Sequence, residues 1–526
     1  MVIIDRQFTL GIELGSTRIK SVLIDEKFEP VCVGSHEWTN RLEDGVWTYH
    51  IDDVWAGVQT SYADLAKNFS EKFGENICGI KSMGVSGMMH GYLPMDNSGN
   101  VLAKFRTWRN TNTHTAAEKL TKMFNFNIPL RWSIAHLYQS ILNEEPHVGE
   151  IAFITTLAGY VHYKITGQKV LGVGEASGMF PIDSKTLTYN SKMMQDFNSL
   201  VAENTFGWDS IEDVLPVVLS AGTLAGMLTK EGALLIDPTG GLNAGISLCP
   251  PEGDAGTGMV ATHSVACRTG NVSAGTSIFA MLVLEDNLSR RHEEIDMVTT
   301  PDGKPVAMVH CNNGTSDLDA WVSMFHESYE LLSQSKISKA DVYRGLYQVA
   351  LEGDAECGLM ACNYLSGEHN TGFTEGRPLF VRMPNSRFNL ANFMRTMLLS
   401  SMATLNIGMD ILRVKEGATI SKLLGHGGFF ATKGVAQKLM AGMLNLPVAV
   451  METANEGGAW GIALLAAYLE YNQETLDDFL DNRVFADRES FTIYPDENDA
   501  VGFAAFMDMY KATLLVERTA VDELRQ

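Results

Sequence analysis

The feature that most constrains the fold of this chain is a short pattern that occurs twice, about 260 residues apart. In the first copy, apolar residues at 7–14 and 18–24 predict two strands around the small turn Gly15-Ser16-Thr17. In the second copy, the turn Gly275-Thr276-Ser277 interrupts a similar apolar run. Such a repeat in a chain of 526 residues predicts two similar halves, each presenting a small-residue turn to a shared cleft.

The length and composition also predict a globular protein of two large domains. We infer the domain boundary from the repeat and place it shortly before the second copy, which gives domains of residues 1–255 and 256–526. Hydrophobic residues make up 45% of the chain, but no apolar run approaches the roughly 18 to 20 residues that cross a bilayer. The first residues lack the basic start and apolar run of a secretory signal. We therefore expect a cytoplasmic protein without a membrane partner.

The charge and the cysteines exclude several other classes of protein. A formal net charge of −23 argues against general affinity for nucleic acid or anionic lipid, because Lys and Arg bind backbone phosphates. A phosphorylated small ligand remains compatible with this charge, since turn amides and Mg²⁺ also bind phosphate. The seven scattered cysteines fit a reducing compartment and favour neither a disulfide framework nor a zinc site.

Strands and helices alternate in the first half, which is typical of an α/β layer architecture. Helical spacing at 52–73 is followed by a strand at 77–86, and Met89 and His90 lie just after that strand. Ligands bind at the carboxyl ends of strands in such sheets. A histidine at a strand end is, however, often a structural residue. Residues 100–250 are less regular, with helices expected near 115–124, 131–143 and 153–165, and predict an insertion that builds one side of the cleft.

One acidic residue lies in the glycine-rich stretch that precedes the second copy of the repeated pattern. Asp254 lies among Gly253, Gly256 and Gly258, so backbone and a small ligand could approach it closely. An aspartate that only caps a glycine-rich turn would show the same pattern. The residues around Asp254 leave both interpretations open.

Seven motifs taken in order resemble those of the FGGY carbohydrate kinase family, which belongs to the actin/hexokinase/Hsp70 superfamily. They are Gly15-Ser16-Thr17, Met89-His90-Gly91, the segment at Trp108, Ala176-Ser177-Gly178, Gly253-Asp254, Gly275-Thr276-Ser277 and Gly427-Gly428. The resemblance covers nearly the whole chain. It implies two duplicated α/β domains of the ribonuclease-H-like, actin-like ATPase fold, with a cleft between them.

The resemblance also implies an ATP-dependent kinase that acts on a small sugar with Mg²⁺ as cofactor. Asp254 would be the base that accepts the proton of the attacking hydroxyl. The turns Gly15-Ser16-Thr17 and Gly275-Thr276-Ser277 would flank the triphosphate, and Gly427-Gly428 would line the adenosine. Read without the resemblance, these segments are ordinary hairpin and helix-entry turns. Glu13 replaces the family's usual aspartate near Mg²⁺, and we expect it to act through a water.

The substrate-side residues implied by the resemblance are Met89, His90, Trp108, Asn110 and Asp254 itself. The Met-His-Gly segment is similar to that of xylulose kinases, whereas Asn110 and Ala255 depart from the xylulose pattern. Asp254-Ala255 is instead similar to ribulose kinases. We expect a ketopentose such as xylulose or ribulose as the substrate. A kinase for another polyol or deoxysugar and a silent nucleotide-binding regulator are the alternatives, and the resemblance allows a homodimer.

Overall fold

The computed structural model describes residues 7–451, 457–488 and 490–524, and within them the chain forms two seven-stranded mixed sheets. The strands of the first sheet are β1 (Phe8–Leu14), β2 (Arg18–Ile24), β3 (Pro30–Glu37), β4 (Ile80–Gly87), β5 (Gly226–Met227), β6 (Ser247–Leu248) and β7 (Glu252–Gly253). Those of the second sheet are β8 (Thr269–Ala274), β9 (Ile278–Val283), β10 (Asp296–Thr299), β11 (Pro305–Cys311), β12 (Lys422–His426), β13 (Val448–Met451) and β14 (Ser490–Ile493). We call the parts of the protein built on the first and second sheets the first and second lobes.

The two sheets share one topology, which confirms the duplicated fold. The first sheet runs β3-β2-β1-β4-β6-β5, and the second contains the order β11-β9-β8-β12-β13-β14. In both, the first three strands of the order are antiparallel, the next two join in parallel, and the last is antiparallel. The hairpins close at Leu14–Ile19 and Ala274–Ile278, so the second loop is one residue shorter.

Helices cover the faces of both sheets. In chain order they are α1 (Ile51–Phe73), α2 (His114–Phe124), α3 (Ser133–Leu142), α4 (Leu157–Thr166), α5 (Val173–Ala176), α6 (Ser191–Leu200), α7 (Lys230–Ile236), α8 (Asp254–Ala261), α9 (Ser316–Ser333), α10 (Lys339–Ala350), α11 (Leu390–Asp410), α12 (Val435–Leu444), α13 (Gly457–Ala467), α14 (Leu476–Phe479) and α15 (Glu497–Glu523). Shorter strand pairs lie outside the main sheets at Arg41–Glu43 with Val46–Thr48, Leu93–Met95 with Phe153–Thr155, Val170–Gly172 with Val217–Leu219, Ile182–Asp183 with Thr188–Tyr189, and Leu359–Cys362 with Leu379–Arg382.

Helix α13 belongs to the second half of the sequence but packs on the first sheet. From Gly458 onward its residues are all buried, and it lies against β1 and β4 on one side and α8 on another. A helix that is apolar all round has to be enclosed on every side. Trp460 Nε1 also donates a hydrogen bond to the Phe28 carbonyl at 3.0 Å. The second half therefore completes the core beneath the first sheet.

Two local expectations differ from the structure. The glycine-rich stretch at 253–258 begins a helix, α8, against which α13 packs closely, since a Cβ on Gly461 of α13 would lie 2.0 Å from the Thr257 carbonyl oxygen of α8. The helix expected over 153–165 starts only at Leu157, because Phe153–Thr155 pair with Leu93–Met95 as strands.

One helical segment among the described residues, Leu390–Lys415, is long and apolar enough to cross a membrane. Of its most apolar 18-residue stretch, 78% is buried inside the protein. It contains α11, which packs against α10, α12 and the second sheet. Its apolar character is accounted for by this position in the core of the second lobe.

Candidate active site

Asp254 lies where β7 passes into α8, beside the end of β4. Strand β7 pairs in parallel with β4, with Gly253 opposite Gly87, so the residues that follow both strands meet at one edge of the sheet. The Met89 amide donates a hydrogen bond to Asp254 Oδ1 at 3.1 Å. Met89 and His90 follow the end of β4, as the sequence predicts, and the Met89 backbone contacts Asp254.

The surroundings of Asp254 suit a carboxylate that exchanges a proton near neutrality. Burial raises the pKa of Asp254 to about 6, although backbone amides of Met89 and Ala255 act in the opposite direction by binding the ionised form. The side chain is nevertheless partly exposed to solvent. Its position in the first turn of α8 also favours the charged form. A group with these properties can accept a proton from a bound alcohol.

His90 is buried and adopts a left-handed backbone conformation with φ of 71°. Its Nδ1 lies 3.2 Å from the Gly178 carbonyl, which fixes Nδ1 as the protonated nitrogen, and its ring stacks on Trp132. Burial lowers its pKa well below the usual value, and the charge of Arg131 lowers it further. A neutral ring with Nδ1–H leaves Nε2 as a hydrogen-bond acceptor for a hydroxyl group.

Asn110 and Trp108 have different surroundings. The Asn110 side chain is buried, accepts from the Trp47 amide at 2.9 Å, and donates to the carbonyls of Trp47 and Thr107 at 2.8 and 3.0 Å. Its amide group thus holds the hairpin at Arg41–Thr48 in place. Trp108 is 39% exposed, so its ring is available to a ligand. A direct contact of either residue with a sugar stays a prediction.

The first turn, Gly15-Ser16-Thr17, is held from behind by two aromatic residues that the sequence reasoning missed. Trp38 Nε1 donates to the Gly15 carbonyl at 2.7 Å, and the Tyr49 hydroxyl donates to the Ser16 carbonyl at 2.5 Å. The two rings stack with centroids 4.1 Å apart. Ser16 and Thr17 are exposed, whereas the Gly15 amide donates to the Arg18 carbonyl at 3.0 Å.

The second turn, Gly275-Thr276-Ser277, is held in a similar way. The amides of Gly314 and Thr315 donate to the carbonyls of Thr276 and Gly275 at 2.8 and 2.9 Å. Thr276 is exposed, and the segment that supports the turn leads directly into α9. The carbonyl groups of Gly15 and Ser16 in the first turn and of Gly275 and Thr276 in the second are therefore occupied by the protein, and the binding of phosphate by these turns stays a prediction.

Gly427 lies against the second turn. Its φ is 97°, and a Cβ placed on it would be 2.5 Å from the Ala274 carbonyl oxygen, so only glycine fits. A Cβ on Gly428 would meet nothing within 4 Å, which leaves open space above it. The structure thus brings Gly427-Gly428 next to the turn at 275–277, at the ends of the adjacent parallel strands β8 and β12.

Glu13 lies at the end of β1 near Asp254. Its Oε2 accepts a hydrogen bond from the Ala459 amide at 3.0 Å. Burial raises the pKa of Glu13 to about 7, and the charge of Asp254 raises it further, while the Ala459 amide acts in the opposite direction. A divalent cation beside this pair would offset their repulsion, and carboxylates are preferred ligands of Mg²⁺.

The donor set therefore fits Mg²⁺ that is held mainly by phosphate oxygens and water. Among the described residues, no group of three or more His, Cys, Asp or Glu side chains converges to hold a metal ion. Mg²⁺ in nucleotide sites is commonly bound through one or two carboxylates together with phosphates. Glu13 could supply such a carboxylate directly or through a water.

Two further acids next to Asp254 were also missed. Glu252 and Glu175 are both fully buried, and burial raises the pKa of Glu252 to about 8 and that of Glu175 well above its usual value. A Cβ on Gly253 would lie 2.3 Å from Glu175 Oε2, so this carboxyl touches the backbone beside Asp254. Glu175 precedes the Ala176-Ser177-Gly178 motif, but no local pattern indicates that Glu252 contacts it.

Comparison with known proteins identifies one family over most of the chain. The model for the FGGY family of carbohydrate kinases matches residues 8–260 with its N-terminal domain and residues 270–470 with its C-terminal domain. A xylulose kinase from Haemophilus influenzae is 22% identical over 521 residues, which cover 95% of this chain and 98% of the relative.

Solved structures show the same fold. A ligand-bound xylulose kinase from Lactobacillus acidophilus covers 99% of this chain and all of its own at a TM-score of 0.79 and 15% identity. A glycerol kinase from Plasmodium falciparum with ADP covers 98% of this chain and 99% of its own, at a TM-score of 0.75 and 15% identity. Because the two differ in acceptor, the shared fold does not select the substrate.

Proposed function

The chain belongs to the FGGY family of carbohydrate kinases, and on this basis we propose that it transfers the γ-phosphate of ATP to a hydroxyl group of xylulose. The family makes it an ATP-dependent sugar phosphotransferase. Xylulose is the first candidate because the xylulose kinase from Haemophilus influenzae aligns along almost its full length. The observation that carries the proposal is the hydrogen bond from the Met89 amide to the carboxyl group of Asp254, where β7 and β4 end side by side.

In the proposed reaction, Asp254 accepts the proton of the attacking sugar hydroxyl. The hydroxyl oxygen forms a bond to the γ-phosphorus while the bond to the β–γ bridging oxygen breaks, which leaves ADP and a sugar phosphate. The neutral His90 ring orients the sugar through Nε2. Mg²⁺ bound near Glu13 would supply positive charge to the phosphates. Closure of the lobes would exclude water as a competing acceptor.

We assign the sugar site and the base to residues 1–255 and most of the nucleotide site to residues 256–526. Asp254 and His90 lie on the first lobe, whereas Gly275-Thr276-Ser277 and Gly427-Gly428 lie on the second. The turn Gly15-Ser16-Thr17 would bind the phosphates from the opposite side. A cytoplasmic location and a homodimer stay predictions of the sequence.

A substrate panel tests the proposal. ADP release would be measured with D-xylulose, L-xylulose, D-ribulose, L-ribulose and glycerol at saturating Mg·ATP. We expect kcat/KM for one xylulose enantiomer to exceed that for glycerol at least about 100-fold, since a site built for several hydroxyls strongly discriminates against a ligand lacking them. Preference for ribulose or glycerol would replace the proposed substrate, and the absence of ADP release with every acceptor in the panel would favour the silent regulator.

The activity should depend on pH through the base. We expect kcat/KM for the sugar to rise with pH and to level off above about pH 6, because Asp254 has to be ionised and its pKa is about 6. Measuring kcat/KM from about pH 5 to pH 8 at saturating ATP checks this. A rate that is constant over this range would contradict the role of Asp254.

The support of the first phosphate turn gives a separate prediction. Tyr49→Phe removes the hydrogen bond to the Ser16 carbonyl but keeps the stack on Trp38. Losing one such bond costs about 1 kcal/mol, so we expect KM for ATP to rise roughly fivefold with little change in KM for the sugar. Steady-state kinetics with each substrate varied would measure both values, and an equal rise in both would show a general loss of structure.

A further inference from the structure

Glu252, two residues before Asp254, binds a neighbouring segment with both oxygens of its carboxyl group. Oε1 accepts from the Gly174 amide at 3.2 Å, and Oε2 accepts from the Glu175 amide at 2.8 Å. Glu252 is 1% exposed and lies on β7, opposite Ser86 of β4. A carboxyl group whose two oxygens each receive a backbone N–H group is held in a fixed orientation, and so are the groups that donate to it.

Two glycines, Gly172 and Gly174, provide the space that the carboxyl group of Glu252 occupies. A Cβ on Gly172 would lie 2.0 Å from Glu252 Oε1, and a Cβ on Gly174 would lie 2.6 Å from Oε2. Any larger residue at either position would displace the carboxyl group. Both glycines are thus required for the carboxyl group of Glu252 to fit. This requirement distinguishes the contact from an incidental one between a strand and a loop.

The segment that Glu252 holds, residues 172–178, also contacts the sugar side and the second lobe. At one end, the Gly178 carbonyl accepts from His90. In the middle, Thr299 of β10 donates through its amide to Ser177 Oγ and through Oγ1 to the Val173 carbonyl, both at 3.0 Å. These contacts are buried, so the segment joins three parts of the site through hydrogen bonds.

We propose that Glu252 is a positioning residue for phosphoryl transfer. It fixes the strand that carries Asp254 against the segment that orients His90 and meets the second lobe. The base, the sugar ligand and the second lobe then keep one relative geometry. A displacement of about 1 Å in such a site lowers the rate on the order of 100-fold. This inference deepens the function proposed above and rests on it.

The test replaces Glu252 by glutamine, which keeps the size of the side chain. One amide of the 172–178 segment then faces an NH₂ group in place of an acceptor. We expect kcat to fall about 10- to 100-fold and KM for the sugar to rise, with KM for ATP within about twofold of the wild-type value. KM for ATP should stay nearly constant because Glu252 lies away from the predicted nucleotide turns at 275–277 and 427–428.

A matched control is Glu517→Gln. Glu517 is also fully buried and accepts a backbone hydrogen bond, from the Arg377 amide at 2.5 Å, but it lies on α15, outside the proposed site. We expect this variant to lower Tm by a similar amount and to leave kcat and both KM values unchanged.

If Glu252→Gln lowers Tm but keeps kcat and both KM values, its role is only structural and the inference is overturned. If that variant does not fold, Thr299→Val decides, because it removes only the Oγ1 donor to Val173. A fall in kcat of at least about fivefold without a change in KM for ATP would support the inference, and an unchanged kcat would overturn it. Failure of the wild-type protein to phosphorylate any sugar would instead reject the proposed function.

Discussion

Replacing Asp254 by asparagine is expected to lower kcat for sugar phosphorylation by about 10²- to 10⁴-fold while KM for ATP stays near its wild-type value. A positioned base contributes a factor of roughly 10² to 10⁴ to a rate. Asp254 is the proposed base, and its carboxyl group contacts the Met89 amide just after β4. Asparagine keeps the size of the side chain and the contact with the Met89 amide, but it cannot accept the proton. Stopped assays with long incubation would measure the residual rate.

The same variant is expected to be more stable than the wild-type protein above pH 6. The pKa of Asp254 is about 6 in the folded protein and near 3.8 in an unfolded chain, so the folded state holds the proton more tightly. Its contribution to stability is therefore lost as pH rises from about 4 to 6, and the buried charge opposes folding above that range. Asparagine removes the charge. Thermal unfolding at pH 7.5 should show a higher Tm, and a lower Tm would contradict this view of the site.

Gly427→Ala is expected to give the second largest effect, at the nucleotide site. A Cβ there would overlap the Ala274 carbonyl, and the residue would keep a positive φ at a cost of about 1 to 3 kcal/mol. The backbone has to move away from the end of β8, which carries the turn at 275–277. We expect Tm to fall and KM for ATP to rise at least about tenfold, with KM for the sugar nearly unchanged.

Two other glycines act as comparisons for this variant. Gly428→Ala meets no protein atom within 4 Å, so it should raise KM for ATP without lowering Tm if the nucleotide lies above it. Gly345→Ala also meets no atom within 4 Å, and it lies within α10, where alanine is favoured. It should raise Tm slightly and leave both KM values unchanged. Equal effects of the Gly427 and Gly345 variants on KM for ATP would contradict the assignment.

The duplicated hairpins were predictable because their signal is local and occurs twice. Strand, small turn and strand recur at 15–17 and 275–277, and one sheet topology follows from each copy. The position of Asp254 at a helix start was harder to predict. Three glycines within six residues favour a turn, and the helix forms because α13, about 200 residues later, packs against it.

The supporting residues of the site could not be predicted because their partners are distant in sequence. Tyr49 contacts Ser16 across 33 residues, and Glu252 contacts Glu175 across 77. Neither contact leaves a pattern in the neighbouring sequence. The amide group of Asn110, which the resemblance places on the sugar side, is bound to the Trp47 backbone, and its contact with a sugar stays a prediction. Motifs identify positions near a ligand but not which groups remain available to it.

The most direct test of the central claim is the transfer of labelled γ-phosphate from ATP to xylulose. The wild-type protein and the Asp254→Asn variant would be incubated with [γ-³²P]ATP, Mg²⁺ and the sugar, and the labelled products would be separated. We predict that the label appears in a sugar phosphate with the wild-type protein and is reduced at least about 100-fold with the variant. Label released only as inorganic phosphate, or equal transfer by both proteins, would contradict the account.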